Sequence, residues 1–330
     1  MPEFELPHFE IEEQLDQAIE SVLAGKHQGA DGGALAPLTE VARMLRSMPS
    51  ETFKDRLKSE LQRRATMTSS VATATSLRQG FRTVTPFIIH EKAPELVDFL
   101  KTAFQAQELK RNTAGEANGF YSEVLVGETA IMIAGGSAAS HGNLASALHV
   151  FVDDCDAAYE RSVRAGAKTL MGEHGKPEDR PYGERSAYIE DPFGNYWYIA
   201  TPQGQRAGDL KKWGSVVPYL HPRSARAEID FLKKAFGAEE LMVVAPGGRI
   251  MHVEMKLGDA MVEMGEPEDP KGIPTGGMFF FVDDVETVYQ RALDAGATSV
   301  RPPADIPYGS RSAIVKDPGG CLWWPATWIG

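Results

Sequence analysis

The chain writes one long sentence twice. "RPYGERSAYIEDPFGNYWYIATP" fills residues 180–202 and "IPYGSRSAIVKDPGGCLWWPATW" fills residues 306–328, so Tyr182, Arg185, Asp191 and Trp197 are answered by Tyr308, Arg311, Asp317 and Trp323. Upstream, "VDDCDAAYERSVRAGA" is matched by "VDDVETVYQRALDAGA", and "VTPFIIHEKAPELVDFLKTAF" by "VVPYLHPRSARAEIDFLKKAF". The repeated unit is a whole domain, far longer than the units of solenoids and propellers, so the chain is a duplication rather than a stacked array. Any fold assigned to it must be one that can be built twice.

Within each repeat the elements are legible. "TVTPFII" is a strand, and "PELVDFLKTAF" sets Pro94 at a helix start with Leu96, Phe99, Leu100, Ala103 and Phe104 on one face. Two strands joined at a tight glycine follow, "FYSEVLVG" and "ETAIMIAG" in the first repeat, "IMHVEMKLG" and "DAMVEMG" in the second. The order then recurs: a strand in "LHVFVDD", a helix in "CDAAYERSVRAG", and strands "RSAYIE" and "NYWYIAT" joined by Asp191-Pro192-Phe193-Gly194. Asp bonds back to the backbone at the first corner of that turn, Pro presets the second and Gly relieves the fourth, as in Asp317-Pro318-Gly319-Gly320. The acid pairs Asp153/Asp154 and Asp283/Asp284 read as helix caps.

The repeats are bounded at 83–202 and 214–328, preceded by a small, polar, patternless linker over 67–82. Residues 1–66 carry three helical stripes, among them Ile11, Leu15 and Ile19, then Leu38, Val41 and Leu45, then Phe53, Leu57 and Leu61. This predicts an all-α extension. A bundle of that size is marginal alone, so it packs on itself, on the body, or on a protein partner.

Composition removes several function classes. A formal charge of -12 over 330 residues offers no basic stripe for a phosphate backbone, so nucleic acid is not an expected partner. Cys155 and Cys321 sit at different places in the two repeats, which suits packing residues rather than a disulfide or a thiolate metal site. The start lacks a signal pattern, and runs such as "MFFFV" are too short to span a bilayer; a cytoplasmic protein with no membrane partner is expected. Nucleophile triads, phosphate-cradling loops and dinucleotide fingerprints are absent. A small-molecule ligand remains.

Strand-helix-strand-strand-strand, written four times, resembles the vicinal oxygen chelate superfamily of glyoxalases, bleomycin-resistance proteins, fosfomycin-modifying enzymes and extradiol dioxygenases. The wording of "AEIDFLKKAFGAEE", "GGRIMHVEMKLGDAMVEM", "FVDDVETVYQRALDAGATSVRPP" and "PYGSRSAIVKDPGG", with the openings "VTPF" and "VVPY", is similar to its PhnB-like branch. The resemblance covers residues 83–328. It implies an α+β fold of two tandem glyoxalase-like domains, in which four βαβββ modules form curved mixed sheets around concave pockets.

Metal enzymes of that superfamily hold a divalent ion with His and Glu side chains on pocket-facing strands. Carried over by motif spacing, those places fall on Pro86 and Pro218, near Ala147 or Gly277, on Met132 and Glu263, and on Tyr198 and Trp324. Glu263 is the one ligand among them, so neither metal nor other cofactor is expected. The alternative is a divalent ion on His252, Glu254 and Glu263, because residues two apart share a strand face and a His with two carboxylates suits a hard or borderline cation.

His149 shares a strand face with Phe151. If that face lines a pocket, His149 is the acid/base candidate; otherwise it is a satisfied interior histidine. Arg185 and Arg311, beside Tyr182 and Tyr308, either clamp an anionic ligand or form salt bridges to acids such as Asp153 or Asp283. Trp197, Trp323 and Trp324 are core or pocket wall. Three functions compete: a metal-free protein binding a small molecule in its pocket, a divalent-metal-dependent lyase or dioxygenase, and a ligand-sensing protein whose helical N-terminus meets a partner.

Overall fold

The computed structural model describes residues 77–112, 119–135, 142–204, 210, 212–269, 271–306 and 309–329. The expected helical extension 1–66, most of the linker, and Tyr308 lie outside the described residues.

Four modules follow one another. The first is β1 (Val84–Ile89), α1 (Ala93–Phe104), β2 (Gln107–Asn112), β3 (Phe120–Val126) and β4 (Thr129–Gly135). The second is β5 (Ala147–Phe151), α2 (Cys155–Arg164), β6 (Lys168–Thr169), β7 (Glu178–Arg180), β8 (Glu184–Glu190) and β9 (Tyr196–Pro202). The third is β10 (Val216–Leu220), α3 (Ala225–Phe236), β11 (Glu239–Val244), β12 (His252–Leu257) and β13 (Ala260–Met264). The fourth is β14 (Gly277–Phe281), α4 (Val285–Asp294), β15 (Thr298–Ile306), β16 (Ser310–Lys316) and β17 (Leu322–Trp328).

The helices form where their ends are specified. Asp154 accepts the Ala157 amide and Asp284 the Thr287 amide, so one acid of each pair is the N-cap that the sequence predicts. In α1, Pro94 supplies the preset first turn, and Leu96, Phe99, Leu100, Ala103 and Phe104 are all buried. Helix α3 ends on Gly237 in the left-handed region, whereas α1 closes on Gln105 in the same conformation, a strain that glycine avoids.

The sheets do not follow the repeats. One has the order β15-β16-β17-β14-β1-β4-β3-β2 and the other β11-β12-β13-β10-β5-β9-β8-β6, with β7 paired to β8. Module one therefore shares a sheet with module four across the antiparallel pair β1/β14, and module two with module three across β5/β10. The cores do follow the repeats. Helices α1 and α2 and the inner residues of β1, β3, β4, β5, β8 and β9 make one cluster, with Val216 as its one residue from the second repeat. Helices α3 and α4 make the other with β10, β12, β13, β14, β16 and β17, and Val84 is its one residue from the first repeat. Each repeat thus owns a helix-side core, while each sheet face turned away from the helices needs residues of both repeats.

The repeated Asp-Pro-x-Gly…Trp motif has a structural explanation. Asp191 accepts the amides of Phe193 and Asn195 on one oxygen and the Trp197 indole N–H on the other, each at 2.9 Å. Asp317 likewise accepts the Cys321 amide and the Trp323 indole, both at 2.7 Å. One buried carboxylate ties the turn to the tryptophan that fills the core, which fixes all three residue types together.

Candidate functional site

Cross-strand partners project to the same side of a sheet, so the register sorts every side chain onto a face. In the nine-stranded sheet His149 lies opposite Tyr198 and Val217, Tyr198 opposite Tyr188, Tyr219 opposite Glu263, and Glu263 opposite Glu254. His252, two residues before Glu254, shares that side. Six strands from two repeats thereby bring two histidines, three carboxylates with Glu184, and three tyrosines onto one helix-free face.

His149 is the centre of this group. Its Nδ1 lies 2.8 Å from Glu263 Oε2 and its Nε2 3.6 Å from Glu184 Oε2. The ring packs on Phe151 at 4.3 Å. Glu263 and Glu184 are buried, at 0% and 1% exposure, and His149 is 7% exposed. Burying a carboxylate is costly unless it is paired, and here the imidazole lies between two of them.

A second cluster adjoins the first. One ligand atom each from His252, Glu254 and Glu263 lie within 4.8 Å of one another. The buried His252 Nε2 has no hydrogen-bond partner among the described residues and stands 3.5 Å from Glu254 Oε1. A ring nitrogen and two carboxylates at that spacing fit a divalent cation of the hard or borderline kind.

Around them, the Tyr219 hydroxyl is 3.4 Å from His252 Nδ1 and that of Tyr198 is 2.8 Å from His221 Nε2. Burial raises the pKa of both phenols, helped at Tyr219 by the charge of Glu263, so both remain protonated donors. Burial lowers His221 to about 4, which keeps its imidazole neutral. At the edge of the face, exposed Tyr182 bonds its hydroxyl to that of Tyr188 at 3.0 Å.

The helix-free face of the eight-stranded sheet has a different chemistry. Phe87 lies opposite Met132, and Phe279 opposite Trp324. Phe87 meets both Phe279 and Trp324 edge-on, while Phe279 and Trp324 stack at 13°. Buried Ile89, Ile314 and Phe81 and half-buried Phe281 complete an apolar cluster.

Several sequence expectations change. Pro86 lies opposite Met278 and Pro218 opposite Leu148, both members of helix-side cores; the residues of those strands on the open faces are Phe87 and Tyr219. The arginine clamps are corrected for the same reason. Arg185 alternates with Glu184 and faces α2, where it pairs with Asp156 and reaches Asp179 at 3.4 Å. Arg311 pairs with Glu286 of α4 and with Asp305. Neither arginine lines an open face, and their acids are not Asp153 or Asp283. Trp197 is helix-side core against Phe104, not a pocket wall, and Trp323 is its counterpart. Trp324 does lie on an open face, the aromatic one.

Glu184 and Tyr219 were not among the candidates. A usable signal was present: at matched places where one repeat is polar and the other apolar, His149 stands against Phe279, Glu263 against Met132 and Tyr219 against Phe87, and Glu184 stands against Ser310.

The model of the Glyoxalase/Bleomycin resistance protein/Dioxygenase superfamily matches residues 84–199 and 222–324. An uncharacterized protein of Mycobacterium bovis is 33% identical over 122 residues, covering 33% of this chain and 80% of its own length. The M. bovis protein named "Putative glyoxylase CFP32" is 29% identical over 182 residues, 53% of this chain and 66% of its own. Among solved structures, glyoxalase I from Zea mays superposes with a TM-score of 0.59 at 14% identity, over 74% of this chain and 92% of that one, a likeness of fold. With two matched segments, four modules and two mixed sheets in agreement, the chain belongs to the glyoxalase/bleomycin resistance protein/dioxygenase superfamily as a tandem of two glyoxalase domains.

Proposed function

We propose that the polar face of the nine-stranded sheet binds a small oxygenated molecule with an acidic C–H beside a carbonyl, and that His149 moves the proton. The observation that carries this reading is the placement of one imidazole between two buried glutamates. With Nδ1–H donated to Glu263, the lone pair is on Nε2, which takes the proton from one carbon, exchanges it in part with solvent and returns a proton to the neighbouring carbon, while the ligand's hydroxyl proton passes to its former carbonyl oxygen. Nothing is lost or gained overall. Glu263 and Glu184 stabilise the imidazolium formed in between, and the protonated phenols of Tyr198 and Tyr219 donate to ligand oxygens. The motif wording supports a PhnB-like member, and two free, buried cysteines suit a reducing cytoplasm.

The hemithioacetal of methylglyoxal and glutathione is the probe. In the presence of EDTA it raises the melting temperature of the full chain, and His149→Gln or Glu263→Gln removes the increase. An unchanged melting temperature in the wild type, or an increase that persists in both variants, contradicts the reading.

A second reading rests on the His252, Glu254 and Glu263 cluster. These residues would hold a divalent ion, which supplies Lewis acidity to a ligand oxygen. Elemental analysis of protein purified without chelator separates the two: the metal reading expects about one ion per chain, reduced by Glu254→Gln, and the first reading expects none.

A further inference from the structure

The aromatic face carries one charged anomaly. Glu123, on β3 opposite Met132, is buried at 3% exposure among rings. Its carboxylate accepts the Tyr121 hydroxyl at 2.9 Å and both oxygens take the Arg78 guanidinium, at 2.9 and 2.7 Å. Arg78 is not part of the sheet. It comes from the connector that leads into β1, its side chain is 59% exposed against 4% for Glu123, and it lies 4.3 Å over the Phe81 ring. A solvent-side cation therefore caps a buried anion.

The other sheet shows what is special here. Glu254 occupies the place matched to Glu123, but Leu210 stands where Arg78 does, and His252 where Tyr121 does. The connector there covers its own face with Leu210 and Trp213 packed on Val217 and Met261. An arginine reaching in to a buried acid belongs to the aromatic face among the described residues.

We propose that the helix-free face of the eight-stranded sheet is a second binding site, for a planar organic cation that displaces Arg78 from Glu123. The walls are the stacked Trp324 and Phe279 with Phe87 and Phe281, of which Phe87 and Trp324 are buried and Phe279 and Phe281 half-buried; ring faces of this kind attract a delocalised cation. Glu123 supplies the countercharge, and its burial makes any partner it loses costly to leave unreplaced. A flat aromatic with a delocalised positive charge satisfies both requirements at once, and Arg78, a flat cation over a ring, already imitates it.

The test titrates the full-length protein calorimetrically with N-methylacridinium, with acridine at a pH where it is neutral, and with acridine carboxylate. N-methylacridinium binds about tenfold or more tightly than either analogue. Arg78→Ala, which removes the internal competitor, tightens its binding by about tenfold, and Glu123→Gln reduces it to the level of acridine. A structural ion pair would give the opposite sign for Arg78→Ala. Equal binding of acridine, no binding of the cation, or an Arg78→Ala affinity that is unchanged or weaker overturns the proposal. Should Glu123→Gln fail to fold, the Arg78→Ala titration decides alone.

Discussion

The two helix-free faces are built by corresponding strands in the same order, yet they have gone separate ways. Where one carries His149, Glu184, Tyr188, Tyr198, Tyr219, His252 and Glu263, the other has Phe279, Ser310, Ile314, Trp324, Phe87, Tyr121 and Met132 at matched places. The helix-side cores, by contrast, keep the same construction, down to the aspartate that holds a tryptophan indole. The scaffold is maintained by packing, which both halves need equally. The open faces have diverged in chemistry, and only one of them concentrates titratable groups.

Exchanging the faces is the strongest perturbation. His149→Phe leaves Glu263 and Glu184 buried without their imidazole and lowers stability by about 3–5 kcal/mol. The triple variant His149→Phe, Glu184→Ser, Glu263→Met writes the aromatic face's residues into the polar one and recovers the loss to within about 1 kcal/mol. Urea denaturation of both variants checks this. Failure of the triple variant to recover would mean that the polar group is required for folding, not only for chemistry.

A smaller effect tests how alike the two cores are. Glu228 of α3 is buried beside Asp317 where the first repeat has Leu96, and burial, with the charge of Asp317, pushes its pKa up to about 9. The folded state thus holds a proton that the unfolded chain releases above about 4.5, so this group's contribution is full below that pH and declines as the pH rises toward about 9. Glu228→Leu removes the decline and stabilises by about 1–3 kcal/mol at neutral pH. Melting temperatures of the two proteins should diverge with rising pH through this window and run parallel above it. Parallel curves throughout would place the proton elsewhere.

The smallest effect belongs to Arg185. Its ion pair with Asp156 lies on the helix side and is solvent-exposed, so Arg185→Ala shifts the melting temperature little and leaves binding of the hemithioacetal intact. Loss of binding would return the arginine to the ligand site.

The sequence carries the modules because each turn, cap and apolar stripe is local: Asp154, Pro94 and the Asp191 hairpin all act within a few residues. It does not carry which module pairs with which. The β1/β14 and β5/β10 contacts join residues far apart along the chain, and modules built to one plan offer no local preference between partners. Face assignment fails for a related reason. A strand changes sides at every residue, so reading the ligand place at Pro218 rather than Tyr219 turns a pocket residue into core, and placing Arg185 beside a ligand overlooks that Glu184 has taken that side. His149 was legible because its partner Phe151 lies two residues on, while Glu263 reaches it only through the third dimension.

The most direct measurement is exchange of the carbon-bound proton of the methylglyoxal–glutathione hemithioacetal with solvent deuterium, followed by NMR with the full chain in EDTA. The account predicts exchange with wild type and with Glu123→Gln, and none above background with His149→Gln. Exchange that survives His149→Gln, or that disappears with Glu123→Gln instead, would put the chemistry on the wrong face and contradict it.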